Sequence, residues 1–472
     1  HSEKGLAFLS LDEASFLLKN REVSPVELVY AALEQVAKRQ KQLNAFITLL
    51  AESALEEAKK AEEELLRGIQ KSPLHGIPVA LKDMFYTKGV LTTAGSKIYK
   101  DFVPVYDATV TKKLKKAGAI ILGKTNTHDH ALAPTNENSY FGPARNPWDP
   151  TKISGGSSGG SAIAVAAGMS YLAIGTDTGG SVRVPAALCG VVGLKPTYGR
   201  ISLHGVLPLS FTLDHVGLFA RSVKDAAIAL KLIAGYDRKD PYSSRVKVPN
   251  YCELLEKGEE LALQGVAIGV PTNYFWEKVD QESEELVRKG IAALEMLGGR
   301  IEEIEIPGLE SLMQVSSAIL FAEAAFSHRD NFKERRDWFS PDVRERLESG
   351  SRISAVEYIE ALREREVIIA SWKKVLQKVD LVAMATVPIP AYRIGEKVVT
   401  VRGQGEPARE MCVRHTRLAN LTGAPALTVP CGFNSQGLPV GLQLMGRDFA
   451  ETDLLRAGYA YEEANRARAY LN

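Results

Sequence analysis

The sequence predicts an α/β fold, one large domain whose sheet is covered by helices on both faces. Short apolar runs of strand length alternate with helix-period segments from residue 76 onward, as expected when helices connect the strands of a sheet. No change of composition along the 472 residues is sharp enough to mark a domain boundary. A hydrophobic content of 45% beside 24% charged residues is sufficient for one sizeable core.

The first 70 residues read as helical. Ser10-Leu-Asp-Glu13 and Ser24-Pro-Val-Glu27 are capping boxes, the second with Pro25 at the first helical position. Val26, Val29, Tyr30 and Leu33 then recur at helical spacing. Ala51 to Arg67 is rich in charge and reads as a solvated helix. Candidate strands follow at Ile77–Leu81, Ala119–Leu122, Leu172–Gly175, Gly265–Val270, Leu381–Ala385, Ala426–Val429 and Val440–Leu444. Residues 306–378 read as mostly helical, and the polar stretch 391–408 as an exposed excursion. The expected organisation is an N-terminal helical segment, residues 1–70, packed on a domain of residues 71–472 with a helical insertion at about 306–378.

Composition narrows the function classes. Lys+Arg total 58 against 57 Asp+Glu, a net charge of +1, so no strong field gathers nucleic acid or an anionic membrane. The four cysteines, Cys189, Cys252, Cys412 and Cys431, are scattered without a C-x-x-C pair, which fits reduced thiols and argues against structural zinc. The longest apolar run, Ala162 to Gly175, is interrupted by Gly168, Ser170 and Tyr171 and falls short of the ~20 residues a bilayer requires. No signal-peptide pattern follows the opening His1-Ser2. His128-Asp129-His130 lacks a third ligand nearby and reads as ordinary polar contacts. The expectation is a cytoplasmic protein acting on a small molecule, with no metal, cofactor, nucleic acid or membrane; a homodimer stays open.

Two short motifs are set aside on physical grounds. Gly118-Ala-Ile-Ile-Leu-Gly123-Lys124-Thr125 matches the letters of a phosphate-binding loop. Its middle is a buried-strand sequence and a basic helix precedes it, so a helix cap followed by a core strand is the better reading. Gly156-Ser157-Ser158-Gly159-Gly160 satisfies G-x-S-x-G, but Asn146-Pro147-Trp148-Asp149-Pro150 ahead of it cannot form the strand that a nucleophile elbow needs.

The informative segment holds two glycine-serine loops, Gly155-Gly156-Ser157-Ser158-Gly159-Gly160-Ser161 and Gly179-Gly180-Ser181, while Lys82 closes the apolar run Ile77–Leu81. A serine hydroxyl needs a base to become a nucleophile, and lysine serves only if burial leaves its amine neutral. Glycine-rich loops also offer free N–H groups to a developing oxyanion. Residues 142–200, together with Gly76–Asp83, Gly123–Asn126 and Gly423–Pro430, resemble the amidase signature family of serine hydrolases. The resemblance runs from about residue 10 to about residue 465 and is weakest between 240 and 380.

That resemblance implies an α/β/α layered domain with a mixed, mostly parallel twisted sheet. It assigns Lys82 as the base, Ser157 as a relay serine held by a cis peptide, and Ser181 as the nucleophile. The oxyanion hole would be the main-chain N–H groups of Thr178, Gly179, Gly180 and Ser181. Asp177, Arg183 and Ser158 are expected to hold the loops by hydrogen bonds. Gly155, Gly156, Met84, Phe85 and Trp148 are the candidate substrate contacts. One family branch, the A subunit of the tRNA-dependent amidotransferase, pairs an arginine with an acid that reads glutamine. Arg365 falls at the arginine's expected place, but the acidic position holds Val413. A valine cannot neutralise an ammonium, so the leading expectation is a stand-alone amidase for amides with an apolar or aryl part. The alternatives are the glutaminase A subunit of that amidotransferase, a carbamate, urethane or aryl-ester hydrolase on the same triad, and a non-catalytic scaffold. A scaffold would be expected to have lost a triad residue, and all three are present.

Overall fold

The computed structural model describes residues 5–255 and 262–465. Residues 1 and 472, the outer limits of the two expected segments, and the opening His1-Ser2 lie outside that range. Thirteen strands appear among the described residues: β1 Phe46–Leu49, β2 Pro78–Lys82, β3 Ile120–Thr125, β4 Leu172–Asp177, β5 Val192–Lys195, β6 His215–Ala220, β7 Ala267–Pro271, β8 Arg300–Ile304, β9 Leu381–Ala385, β10 Val398–Val401, β11 Gln404–Pro407, β12 Ala426–Phe433 and β13 Pro439–Gly446. Eleven form one sheet in the order β1-β3-β2-β4-β6-β5-β12-β13-β9-β7-β8, and β10 and β11 form a separate hairpin.

The large sheet is mixed, but parallel pairing does not dominate it. Only β2–β3, β2–β4, β7–β8 and β7–β9 run parallel. The ladders from β4 through β6, β5, β12 and β13 to β9 are antiparallel, as is the edge pair β1–β3. For one of these pairs the connection dictates the direction: β12 and β13 are joined by a tight turn at residues 434–438, which forces them antiparallel.

Both capping boxes form as expected, with Ser10 and Glu13 bracketing the start of Leu11–Lys19 and Ser24 and Glu27 that of Pro25–Leu43. Within the first 70 residues the helical reading misses β1, which supplies the sheet edge beside β3. The segment Gly118–Thr125 is a glycine after the helix Thr109–Lys116, then β3, with Lys124 fully buried. No phosphate loop exists there. Helices Leu312–Arg335, Pro341–Arg352 and Ala355–Val375 form a layer packed through Leu312, Ile319, Leu347 and Trp372. The helical stretch Leu309–Trp338 is long and apolar enough in composition to cross a bilayer, unlike any run noted in the sequence. Here 44% of its apolar window is buried in the protein. Residues 391–408 are not simply an exposed excursion, because Tyr392, Val399 and Val401 are buried and anchor the β10–β11 hairpin.

β2 and β4 are parallel neighbours, with Leu81 opposite Ile174. The residues following both strands therefore emerge at the same edge of the sheet, where ligand sites of α/β folds gather. The helix Gly159–Ala166 precedes β4 and carries the first glycine-serine loop to that edge. Its placement needs Gly160, since a Cβ there would lie 2.4 Å from Ala45 O and 2.5 Å from Asn126 N. Replacing Gly160 with Ala should lower stability by about 1–3 kcal/mol through this backbone clash. Urea unfolding checks this, and an unchanged midpoint would contradict it.

Candidate active site

Lys82 ends β2 as a fully buried side chain. Its Nζ donates to Ser157 Oγ at 2.7 Å and to Thr176 Oγ1 at 2.6 Å. No carboxylate lies within ion-pair distance of it among the described residues. Burial lowers its pKa to about 7, against the raising influence of Asp214 and Asp177. Near neutrality a large fraction of this amine is therefore unprotonated, which is what a general base requires.

Ser157 follows a cis Gly156–Ser157 peptide bond and is fully buried. Ser158 Oγ donates to Thr176 O at 3.0 Å, and Ser158 N donates to Ser181 O at 3.3 Å, tying the two loops together. Ser181 lies on the second loop, 8% exposed, in the wall of a cavity. Lys82 thus touches Ser157 directly, and Ser181 adjoins through the neighbouring main chain. No side-chain hydrogen bond joins Ser157 to Ser181 among the described residues, and such contacts commonly tighten only when substrate binds.

One ion pair shapes the second loop. The Arg183 guanidinium donates to both oxygens of Asp177, at 2.9 and 3.1 Å, to Thr416 O and Gln443 Oε1 at 2.8 Å, and to Asn420 Oδ1 at 2.8 Å. Burial opposes ionisation of Asp177, but the charge and hydrogen bonds of Arg183 outweigh it and hold the carboxyl well below its usual range. The carboxylate then accepts the N–H groups of Gly180, Val182 and Arg183. This corrects one expectation: the Gly180 N–H points at Asp177 Oδ1, 2.9 Å away, and is occupied. The N–H groups of Thr178, Gly179 and Ser181 have no acceptor among the described residues. Gly180 is needed for its backbone, with φ at 133° and a would-be Cβ 2.3 Å from Thr416 Oγ1.

The cavity beside these groups measures about 850 Å³, with Thr178, Gly179 and Ser181 in its wall. The expected substrate contacts lie elsewhere. Met84 and Phe85 are buried in two core clusters, because the chain turns inward after β2. Trp148 donates to Cys189 O at 2.9 Å and packs edge-on against Phe433. Gly155 and Gly156 are closely packed, against Pro185 and the Thr135–Asn136 backbone. Arg365 is spent on Leu421 O at 2.7 Å and on Thr212, away from the cavity. The wall carries Arg346, Arg409, Arg417, Glu345, Glu410 and Val413 instead. His128 Nε2 pairs with Asp342 at 3.0 Å, and His130 Nδ1 with Asp129 at 2.6 Å.

Several of these residues escaped the sequence reading. Thr176, the second partner of Lys82, is a strand hydroxyl near the end of β4 that looks like ordinary polarity in the sequence. Asp214, which accepts from Thr178 Oγ1 at 2.6 Å, sits alone between β5 and β6. Burial pushes Asp214 up to about 6. Arg417 and Asn420 precede the recognised Gly423–Pro430 segment by a few residues, a proximity that is a usable signal only in hindsight.

The amidase family profile matches residues 27–455, and the chain belongs to that family. The A subunit of the glutamyl-tRNA(Gln) amidotransferase of Moorella thermoacetica is 40% identical, covering 97% of each chain. A crystal structure of an amidase superposes with a TM-score of 0.88 at 36% identity, covering 97% of this chain and 100% of the other. A protein from a complex described as revealing the evolutionary origins of an s-triazine catabolic enzyme gives 0.93 at 33% identity, with coverages of 98% and 100%. The chain is accordingly a hydrolase of amide C–N bonds.

The Asp177–Arg183 pair gives a stability test. Arg183→Met strands a fully buried carboxylate and should destabilise the protein by roughly 3–5 kcal/mol. Chemical denaturation measures it; a loss below about 1 kcal/mol would show the pair to be dispensable.

Proposed function

We propose that this chain hydrolyses a small polar amide through an acyl-enzyme on Ser181, with Lys82 as the base and Ser157 as the relay. The carrying observation is the buried Lys82 Nζ, shifted to about 7 and 2.7 Å from Ser157 Oγ, at the strand end beside the Ser181 loop. As Ser181 Oγ attacks the carbonyl carbon, its proton passes to Ser157 Oγ while the Ser157 proton passes to Lys82 Nζ. The tetrahedral oxyanion is held by the unoccupied N–H groups of Thr178, Gly179 and Ser181, each such donor worth ~3 kcal/mol in comparable sites. Lys82 then returns the proton through Ser157 to the leaving nitrogen, the C–N bond breaks, and ammonia or an amine departs. Water attacks the ester by the same route and regenerates Ser181. The hydroxyl relay works because it donates and accepts together without acquiring charge.

Two features favour glutamine as the amide, with this chain in the A-type role of an amidotransferase complex. The relative from Moorella thermoacetica carries that name and matches over nearly the whole chain. The cavity wall has cations at Arg346, Arg409 and Arg417 and acids at Glu345 and Glu410, which suits a zwitterion better than an aryl group. In that role the chain would pass ammonia to a partner protein. A second reading, a stand-alone amidase, rests on Val413. This residue is 6% exposed in the same wall and leaves no carboxylate at the position expected to meet an α-ammonium.

Ammonia release from glutamine, with and without candidate partner proteins, separates the two readings. The amidotransferase role expects release that increases with the partner. Partner-independent cleavage of simple amides with glutamine inert would overturn it. Lys82→Ala, Ser157→Ala and Ser181→Ala should each lower kcat at least ~1000-fold, as removal of members of such triads does. A Ser157→Ala protein with full turnover would exclude the relay. Because the neutral amine is the active form, kcat/KM should rise with pH through about 7 and level off above it. A flat profile from pH 5 to 9 would count against Lys82 as the base.

A further inference from the structure

Among the three arginines of the cavity wall, Arg417 stands apart. Arg409 pairs with Asp342 at 2.8 Å and Glu137 at 3.4 Å, and Arg346 with Asp342 at 3.2 Å. Arg417 is more buried than either, 7% exposed, yet it has no carboxylate within ion-pair distance among the described residues. Its Nη1 donates to Ser316 Oγ at 2.7 Å; its Nε is buried without an acceptor. Its Nη2 also has no acceptor among the described residues. A desolvated guanidinium with one neutral partner is costly unless something offsets the charge.

Its position relative to the chemistry is close. A Cβ built on Gly179 would lie 3.1 Å from Arg417 Nε and 3.3 Å from Cζ. The guanidinium therefore lies against the oxyanion loop, two residues before Ser181, whose Cα is at most about 7.6 Å from that of Gly179. Thr416, the preceding residue, donates to Gly179 O at 2.6 Å and fixes this spacing. Burial draws Arg417 down to about 10, helped by the like charge of Arg346, so it remains a cation at neutral pH.

We infer that Arg417 forms an anion subsite which binds a carboxylate of the amide substrate next to the scissile carbonyl. The inference deepens the amidase reading and rests on it for the word substrate. It specifies an acidic amide as the chemical class, which includes glutamine and also simple dicarboxylic acid monoamides. The anion completes the charge that the protein leaves unpaired, and the contact to Gly179 sets the distance between that charge and the nucleophile. Recognition by a desolvated guanidinium is worth roughly a 10- to 100-fold preference over an uncharged isostere.

Binding to the Ser181→Ala protein tests this without turnover. Malonamate, succinamate and glutaramate would be titrated calorimetrically, each beside its neutral diamide. At least one acid should bind 10-fold or more tighter than its diamide, a comparison that requires no change at Arg417. Adding Arg417→Gln should bring that pair within about twofold, and Arg417→Lys should recover part of the difference, with thermal unfolding reporting that each variant is folded. In turnover by the otherwise intact enzyme the loss should fall mainly in KM. Equal binding of acid and diamide throughout, no binding of any acid, or a preference that survives Arg417→Gln would each overturn the subsite. Failure of the amidase reading looks different: acid-selective binding would persist while no amide was cleaved and Ser181 did not react with a fluorophosphonate.

Discussion

A lysine sealed from water, with two hydroxyls and no carboxylate against its nitrogen, sets the terms for the whole edge of the sheet. A buried ammonium costs several kcal/mol to desolvate, a cost that an adjacent carboxylate partly offsets. The neighbouring strand shows the other solution. Lys124 on β3 is equally buried but lies 3.3 Å from Asp83. Asp83 follows Lys82 directly in the chain, yet its carboxylate turns to Lys124 and accepts from Thr93. Asp177 and Asp214 raise the Lys82 pKa only through space. The fold thus surrounds Lys82 with acids and lets none of them reach it.

The rest of the site maintains that arrangement. Asp177 is the acid that emerges from β4 beside Lys82, and Arg183 claims it. Once ionised and fixed, Asp177 gathers three loop N–H groups, and this turns the neighbouring amides and Ser181 towards the cavity. Asn420 and Gln443, from distant segments, satisfy the remaining polarity. The antiparallel centre of the sheet contributes here: β13, next to β12, delivers Gln443 beneath the loop. The fold's departure from a mostly parallel sheet is therefore part of how the Ser181 loop is held.

Much of this was legible in the sequence where chemistry is written locally. The serine loops, Lys82 and the capping boxes depend on residue types at short spacing. Strands such as β4 and β9 announce themselves as uninterrupted apolar runs. β6 is hard to see because it opens on His215 and carries Gly217, and β8 because three of its five residues, Arg300, Glu302 and Glu303, are charged. The cavity wall was the least legible part. It is assembled from residues near 131, 313–349 and 395–417, and no local pattern says that these meet. Of the aromatic residues near the motif, Phe85 is packed in the core and Trp148 is half-buried against Phe433, so neither lines the cavity. The charged wall that replaces them moves the substrate reading from an aryl amide to a polar, charged one.

The mechanism stands on the protonation state of a single amine, and that state is measurable without substrate. With 13C-labelled lysine in the Ser181→Ala protein, the Lys82 ε-carbon resonance, assigned by its loss in Lys82→Arg, can be followed from pH 5 to 11. The expected result is a titration centred near 7, separated by several units from the exposed lysines. A midpoint near 10, with the exposed set, would mean that Lys82 is an ammonium at neutral pH and cannot take the proton from Ser157.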